Sequence, residues 1–270
     1  MPAGSDWDGR NIRDTGAPIR TLSHLGRSVR RMDPSMRRPH GYDRNSGPAA
    51  SPDLVVFDLD GTLVDSRLDI AASVNEALRA AGAPAVPAET VFPLIGEPLA
   101  QILEHLLPPK LKDRVPLAVE AYKAHYFEHC FDQSRLYPGV KECLERMKGL
   151  CLAVATTKMT YMAVRLVEAA GLATYFALVQ GSEGIPYKPD PEVLRIVLRK
   201  TGKRAGRSWM VGDTVYDIQA GKAAGMRTCA VTYGIGSTAA LEREGPDLVV
   251  GSLSELPERI GLPFQERRIP

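Results

Sequence analysis

The 270-residue chain has little cysteine, no long apolar run and almost no net charge, and each shortage removes a class of protein. Its four cysteines, Cys130, Cys143, Cys151 and Cys229, never fall at C-x-x-C spacing. That scatter suits neither a disulfide framework nor a zinc site, and it leaves them as reduced packing residues. No apolar stretch approaches the roughly 20 residues of a spanning helix, and the first residues lack the apolar block of a secretory signal. The expectation is a cytoplasmic protein with no membrane partner. A formal net charge of +2 gives no global attraction to nucleic acid.

Lysine is missing from one region altogether. Residues 1–52 hold nine arginines, five aspartates and repeated Gly, Pro and Ser without apolar periodicity. Such a segment lacks the apolar surface to offset its ordering entropy, so a disordered extension is expected there, with residues 263–270 as a tail. Its sharper readings are an Arg-rich transit peptide or an arm for anionic surfaces. The five acids count against the first, because transit peptides are poor in acidic residues.

The whole chain carries 44% hydrophobic residues, enough for a sizeable core. From Asp53 onward, short β-branched runs alternate with helical patterns, as parallel βα units do. Expected strands are Leu54–Phe57, Leu152–Thr156, Phe176–Gln180, Trp209–Gly212, Thr228–Thr232 and Asp247–Val250. A helix over Tyr161–Ala170 should stop at Gly171, and another should start with Asp190 as cap and Pro191 in its first turn. The 94 residues between Phe57 and Leu152 are far more than a crossover needs. Ile70, Val74 and Leu78 mark a first helix in that interval, and further helices fall around Leu99–Leu106 and Val115–Phe131. The predicted fold is therefore α/β: a Rossmann-like parallel sheet flanked by helices, residues 53–66 and 137–262, with an all-helical cap inserted at 67–136. The insert lies over the carboxyl end of the first strand, where such sheets bind ligands.

Four constellations close the expected strands. Asp58-Leu59-Asp60-Gly61-Thr62 comes first, then Thr156-Thr157-Lys158, then Tyr187-Lys188-Pro189, then Gly212-Asp213-Thr214-Val215-Tyr216-Asp217. Two acids one residue apart at a strand end repel each other unless a cation, a shared proton or full solvation relieves them. A helix cap explains Asp213 alone but not Asp58 together with Asp60. All four motifs, in this order, resemble the haloacid dehalogenase superfamily of phosphohydrolases, in particular its members with a helical cap after the first strand. The resemblance covers about residues 53–260.

That resemblance implies a small phosphorylated metabolite as partner and Mg²⁺ as cofactor, in a monomer or homodimer. It makes Asp58 the nucleophile of an aspartyl-phosphate pathway and Asp60 the acid and base. It places Mg²⁺ on the Asp58 carboxylate, the Asp60 backbone carbonyl and Asp213, a hard oxygen set. Thr156, Lys188 and backbone N–H groups near Gly61 and Thr157 would hold the phosphoryl oxygens. Thr62 and Asp217 would support from behind, Asp217 holding Lys188 or a metal water. Asp60 speaks against dehalogenation, in which halide leaves without a proton. Asp69–Leu78 and Leu94–Leu99 resemble the first cap helix and the substrate loop of phosphoglycolate phosphatases, which makes Glu97 substrate-facing. Thr156–Met159 also resembles bacterial pyrophosphatases of the same cap class; sugar-phosphate phosphatases and a non-catalytic phosphate-sensing module stand as further alternatives. Arg67 and Lys123 are candidates to offset Glu97, each weighed against a solvated surface role.

Two patterns are set aside. Gly234-Ile235-Gly236-Ser237-Thr238-Ala239 formally matches a dinucleotide fingerprint, but it comes late in the chain and not at a first βα turn. His125, His129 and Cys130 have helical metal-ligand spacing without a clear third partner nearby, and read as a cap face.

Overall fold

The computed structural model describes residues 51–262, so the expected 1–50 portion of the extension and the 263–270 tail lie outside the described residues. The chain enters on β1 (Leu54–Phe57), whose four residues are fully buried because both faces of the strand are covered. Val55 and Phe57 join one apolar cluster, and Leu54 and Val56 join another across the sheet, as a period of two requires.

A six-stranded parallel sheet grows around β1 from β4 (Cys151–Ala155), β5 (Leu178–Gln180), β6 (Ser208–Gly212), β7 (Arg227–Val231) and β8 (Leu248–Val250). Its order is β5-β4-β1-β6-β7-β8. The chain first winds outward from β1 through β4 and β5, then returns to β1's other side with β6. That reversal makes the carboxyl ends of β1, β4 and β6 the switch point, where side chains from three neighbouring strands converge. Each expected strand forms, with ends moved by at most two residues.

The helical insert consists of α1 (Arg67–Ala80), α2 (Ala88–Val91), α3 (Leu99–Leu106) and α4 (Val115–His129). The α1 stripe is carried by Ile70, Val74, Ala77 and Leu78, all buried. On the core side run α5 (Val140–Arg146), α6 (Thr160–Ala169), α7 (Glu192–Thr201), α8 (Val215–Ala223), α9 (Thr238–Arg243) and α10 (Leu256–Arg259). Gly171, at φ +69°, ends α6 where a β-carbon would be disfavoured. The start of α7 differs from the expectation: Pro191 occupies the cap position and the helix opens at Glu192. Asp190 still caps it, since its carboxylate accepts the Glu192 N–H at 2.8 Å.

A further element escapes the sequence. β2 (Val64–Asp65) pairs antiparallel with β3 (Arg135–Leu136), so the segment that leaves the core is bonded to the one that returns. Next to it, the buried Asp69 carboxylate accepts the N–H groups of Gln133 and Ser134 and the Ser134 hydroxyl at 2.6–3.1 Å. Both crossings are thereby fixed against each other. No helix among the described residues is long and apolar enough to cross a membrane.

Candidate active site

Asp58 follows β1 directly, and its N–H is bonded to the Val211 carbonyl of β6 at 2.9 Å, which holds it at the switch point. Asp213 follows β6 in the same way. Thr156 follows β4, and Lys188 arrives from the loop after β5. The carboxylates of Asp58, Asp213 and Asp217, all buried, offer oxygens within 4.8 Å of one another. Among the described residues this is the one cluster with metal-ligand geometry. The expected ligand set is the Asp58 carboxylate, the Asp60 backbone carbonyl and Asp213, with Asp217 behind it; the Asp217 carboxylate lies in one group with those of Asp58 and Asp213, and Asp60 lines the cleft beside them.

Lys188 lies within this cluster. Its Nζ is 2.6 Å from Asp58 Oδ1, 2.6 Å from Asp217 Oδ1 and 3.2 Å from the Ala155 carbonyl. Asp217 Oδ2 accepts the N–H and hydroxyl of Thr214 at 3.0 and 2.7 Å, closing the start of α8. Asp217 therefore anchors Lys188 with one oxygen and its own helix with the other. Asp213 is held by Thr62, whose hydroxyl donates to Oδ1 at 2.8 Å, and by the Ile235 N–H, which donates to Oδ2 at 2.8 Å.

The charge balance favours a divalent cation. Three buried carboxylates face one ammonium, so two negative charges remain in a region of low dielectric. Burial pushes Asp58 well above the ordinary carboxylate range, with Lys188 pulling the other way. Burial and the neighbouring Asp217 push Asp213 up to about 6. Burial works against the Lys188 charge too, but Asp217 and Asp58 outweigh it and raise its pKa. The hard oxygen set and the two-charge deficit fit a divalent ion such as Mg²⁺.

Two glycine-bearing segments are shaped by Asp213. Gly61 has φ +91°, and a β-carbon there would lie 2.3 Å from Asp213 Oδ2. Its N–H is bonded to the Val64 carbonyl at 2.9 Å, and Gly61 allows the close approach of its backbone to Asp213. The set-aside Gly234–Ala239 run has a purpose of its own. A β-carbon on Gly236 would collide with the Asp213 backbone carbonyl, and Ile235 between the glycines bonds the Asp213 side chain.

Above the cluster, a narrow cleft lined by Asp58, Asp60, Thr156, Thr157, Lys188 and Asp217 opens into a cavity of about 310 Å³ under the helical insert. Asp60, Gly96 and Thr157 line both. Asp60 accepts the Ser66 hydroxyl at 2.5 Å and lies 3.2 Å from Lys158 Nζ. Neither partner has a role legible from sequence; Lys158 stands in the Thr156-Thr157-Lys158 motif, and its place two positions past Thr156 is the available signal. Glu97 reaches the cavity wall and faces His105 at 3.5 Å. Arg67 is tied to Asp65 by two bonds of 2.7 and 2.8 Å, and Lys123 on the cavity wall pairs with Glu120 at 2.7 Å. His125 meets Ser73 at 2.9 Å and His129 meets Asp132 at 2.8 Å.

Comparison with known proteins agrees with this geometry. Residues 55–231 match the model of the family described as haloacid dehalogenase-like hydrolase. The chain is 39% identical to the "Probable phosphatase IndB" of Dickeya dadantii, over 75% of this chain and 91% of that protein. It is 34% identical to a phosphoglycolate phosphatase of Vibrio parahaemolyticus, over 77% and 96% respectively. A solved structure of a haloacid dehalogenase-like hydrolase from Streptococcus pneumoniae superposes with a TM-score of 0.70 at 27% identity, covering 77% of this chain and 98% of its own. The protein thus belongs to the haloacid dehalogenase-like hydrolase family.

Proposed function

We propose that the protein is a Mg²⁺-dependent phosphatase that hydrolyses a small phosphate monoester, phosphoglycolate or a close analogue, through a phosphorylated Asp58. The observation that carries this reading is the buried Asp58, Asp213 and Asp217 cluster around Lys188 at the mouth of the sheet. Phosphoglycolate as first choice rests on the relatives that carry that name, at 32–34% identity over more than three quarters of this chain.

On this reading Asp58, Asp213 and the Asp60 backbone carbonyl hold the Mg²⁺. The bound ion offsets negative charge on the phosphoryl group and lets a carboxylate approach it. Asp58 attacks phosphorus, forming an aspartyl-phosphate bond as the bond to the ester oxygen breaks. Asp60 gives its proton to the departing oxygen, which leaves as an alcohol. Asp60 then takes a proton from water, whose oxygen attacks the same phosphorus and breaks the bond to Asp58. Lys188 and the Thr156 hydroxyl hold the non-bridging oxygens, as the charge-dominated transition state requires. Thr62 and Asp217 keep Asp213 and Lys188 in position. Thr157 and Glu97 lie at the cavity wall, where the alcohol portion would sit.

The test is phosphate release from phosphoglycolate, pyrophosphate and glucose 6-phosphate, measured with Mg²⁺ and with chelator. The highest kcat/KM is expected on phosphoglycolate, and chelator should abolish turnover. Higher efficiency on pyrophosphate would move the substrate assignment to the pyrophosphatase alternative, and no release from any ester would reject the hydrolase reading.

A further inference from the structure

From the placement of Lys158 we infer a specificity residue: it binds a carboxylate that the substrate carries close to its ester oxygen. The inference rests on the phosphatase reading above and adds what the leaving group must look like.

Lys158 lies on the cavity wall with its side chain only 8% exposed, so its charge is set against the cavity and not bulk solvent. Its Nζ stands 4.2 Å from the centre of the Tyr126 ring, which supports the ammonium from one side. Among the described residues its one carboxylate neighbour is Asp60, at 3.2 Å. An ammonium has three N–H donors, so this arrangement leaves capacity for a second acceptor. The other cations nearby are engaged elsewhere: Lys188 by two buried aspartates, Lys123 by Glu120 and Arg67 by Asp65.

Geometry limits where the substrate anion can be. Asp60 must come within hydrogen-bond distance of the ester oxygen to protonate it. A carboxylate on the adjacent carbon has its oxygens roughly 3 Å from that ester oxygen, by ordinary bond lengths. Lys158, beside Asp60, is within reach of such a group. Asp60 keeps the Ser66 hydroxyl as a partner when Lys158 turns to the substrate. Elsewhere the cavity walls offer Ile70, Ile95, Leu99 and Tyr122, the acids Glu97 and Glu183, and Lys123, whose charge is already paired with Glu120. An anion carried far from the ester meets apolar surface or like charge there. The cavity therefore favours short α-phospho acids over esters whose second charge is distant.

The experiment compares kcat/KM on phosphoglycolate with that on phenyl phosphate, an ester with an uncharged leaving group, for the wild-type chain, Lys158→Gln and Lys158→Arg. Loss of a charged hydrogen-bond donor should lower the phosphoglycolate-to-phenyl phosphate ratio by roughly 30-fold in Lys158→Gln. Lys158→Arg should restore the greater part of it. Turnover of phenyl phosphate reports that each variant is folded. In the Asp58→Asn background, Lys158→Gln should weaken phosphoglycolate binding more than phenyl phosphate binding, a readout that needs no turnover. Equal losses on both esters would overturn the inference alone, since Lys158 would then serve Asp60 or the fold. A wild-type chain inert on both esters would overturn the phosphatase reading and this inference with it.

Discussion

Asp217 engages Lys188 with one oxygen and the start of α8 with the other, so a single residue joins the cluster's only ammonium to the helix behind it. Removing that ammonium should be costly. Lys188→Met leaves three buried carboxylates without a cation, and a loss of about 3–5 kcal/mol is expected in the metal-free protein, read from denaturant melts. The pH dependence follows from the raised carboxylates. Asp213 titrates from 3.8 up to about 6, and Asp58 is shifted in the same direction, so between these values the folded chain binds more protons than the unfolded one. Stability of the metal-free protein should therefore fall as pH rises through that window. Mg²⁺ should stabilise more at pH 8 than at pH 5, because its ligands must be ionised. Thermal melts at both pH values, with Mg²⁺ and with chelator, check this; equal Mg²⁺ effects at the two would contradict it. At this scale the sequence made Asp58, Asp213 and Thr156 legible, because each follows a short apolar strand, and Lys188 through the Tyr187-Lys188-Pro189 motif in the loop after β5. Lys158 was harder to read, since its partner Asp60 lies 98 positions away and no local pattern joins them.

At the scale of elements, the strands and most helices follow from periodicity, whereas the β2–β3 ribbon does not. Two-residue strands carry no alternation to read, and the pairing spans the whole insert. The Asp69 clasp is hidden for the same reason, as its acceptors serve N–H groups 64 and 65 residues onward. Asp69→Ala would leave buried donors at Gln133 and Ser134 unpaired, and should destabilise the fold by roughly 2–4 kcal/mol. Chemical denaturation measures this, and a loss within error of zero would mean that the clasp contributes nothing to the joint. The glycines at 234 and 236 illustrate the opposite limit. Their pattern is visible but suggests a nucleotide loop, and only the approach to Asp213 within a van der Waals radius explains them.

For the whole molecule, the candidate site's reacting side chains fall between Asp58 and Asp217, with the Ile235 N–H completing the hold on Asp213, and the family match covers residues 55–231. Removal of residues 1–50 should accordingly leave kcat/KM within about twofold, since the groups assigned to the substrate and to the cluster lie within residues 58–235. A larger loss in phosphate-release assays would assign the arginine-rich segment a part in catalysis. The helical insert and the sheet share the cavity, and on the proposed mechanism they divide the labour: the strand ends supply the acids and cations of phosphoryl transfer, with Lys158 after β4 selecting the alcohol, and the insert supplies the remaining walls. The most direct test of that division begins with the covalent step. Rapid-quench mass spectrometry of the protein mixed with phosphoglycolate and Mg²⁺ should find a phosphoryl group on the peptide containing Asp58, and none in Asp58→Asn, which should also lose turnover by roughly 10⁴-fold or more. Full turnover by Asp58→Asn, or a phosphoryl group on any other residue, would contradict it.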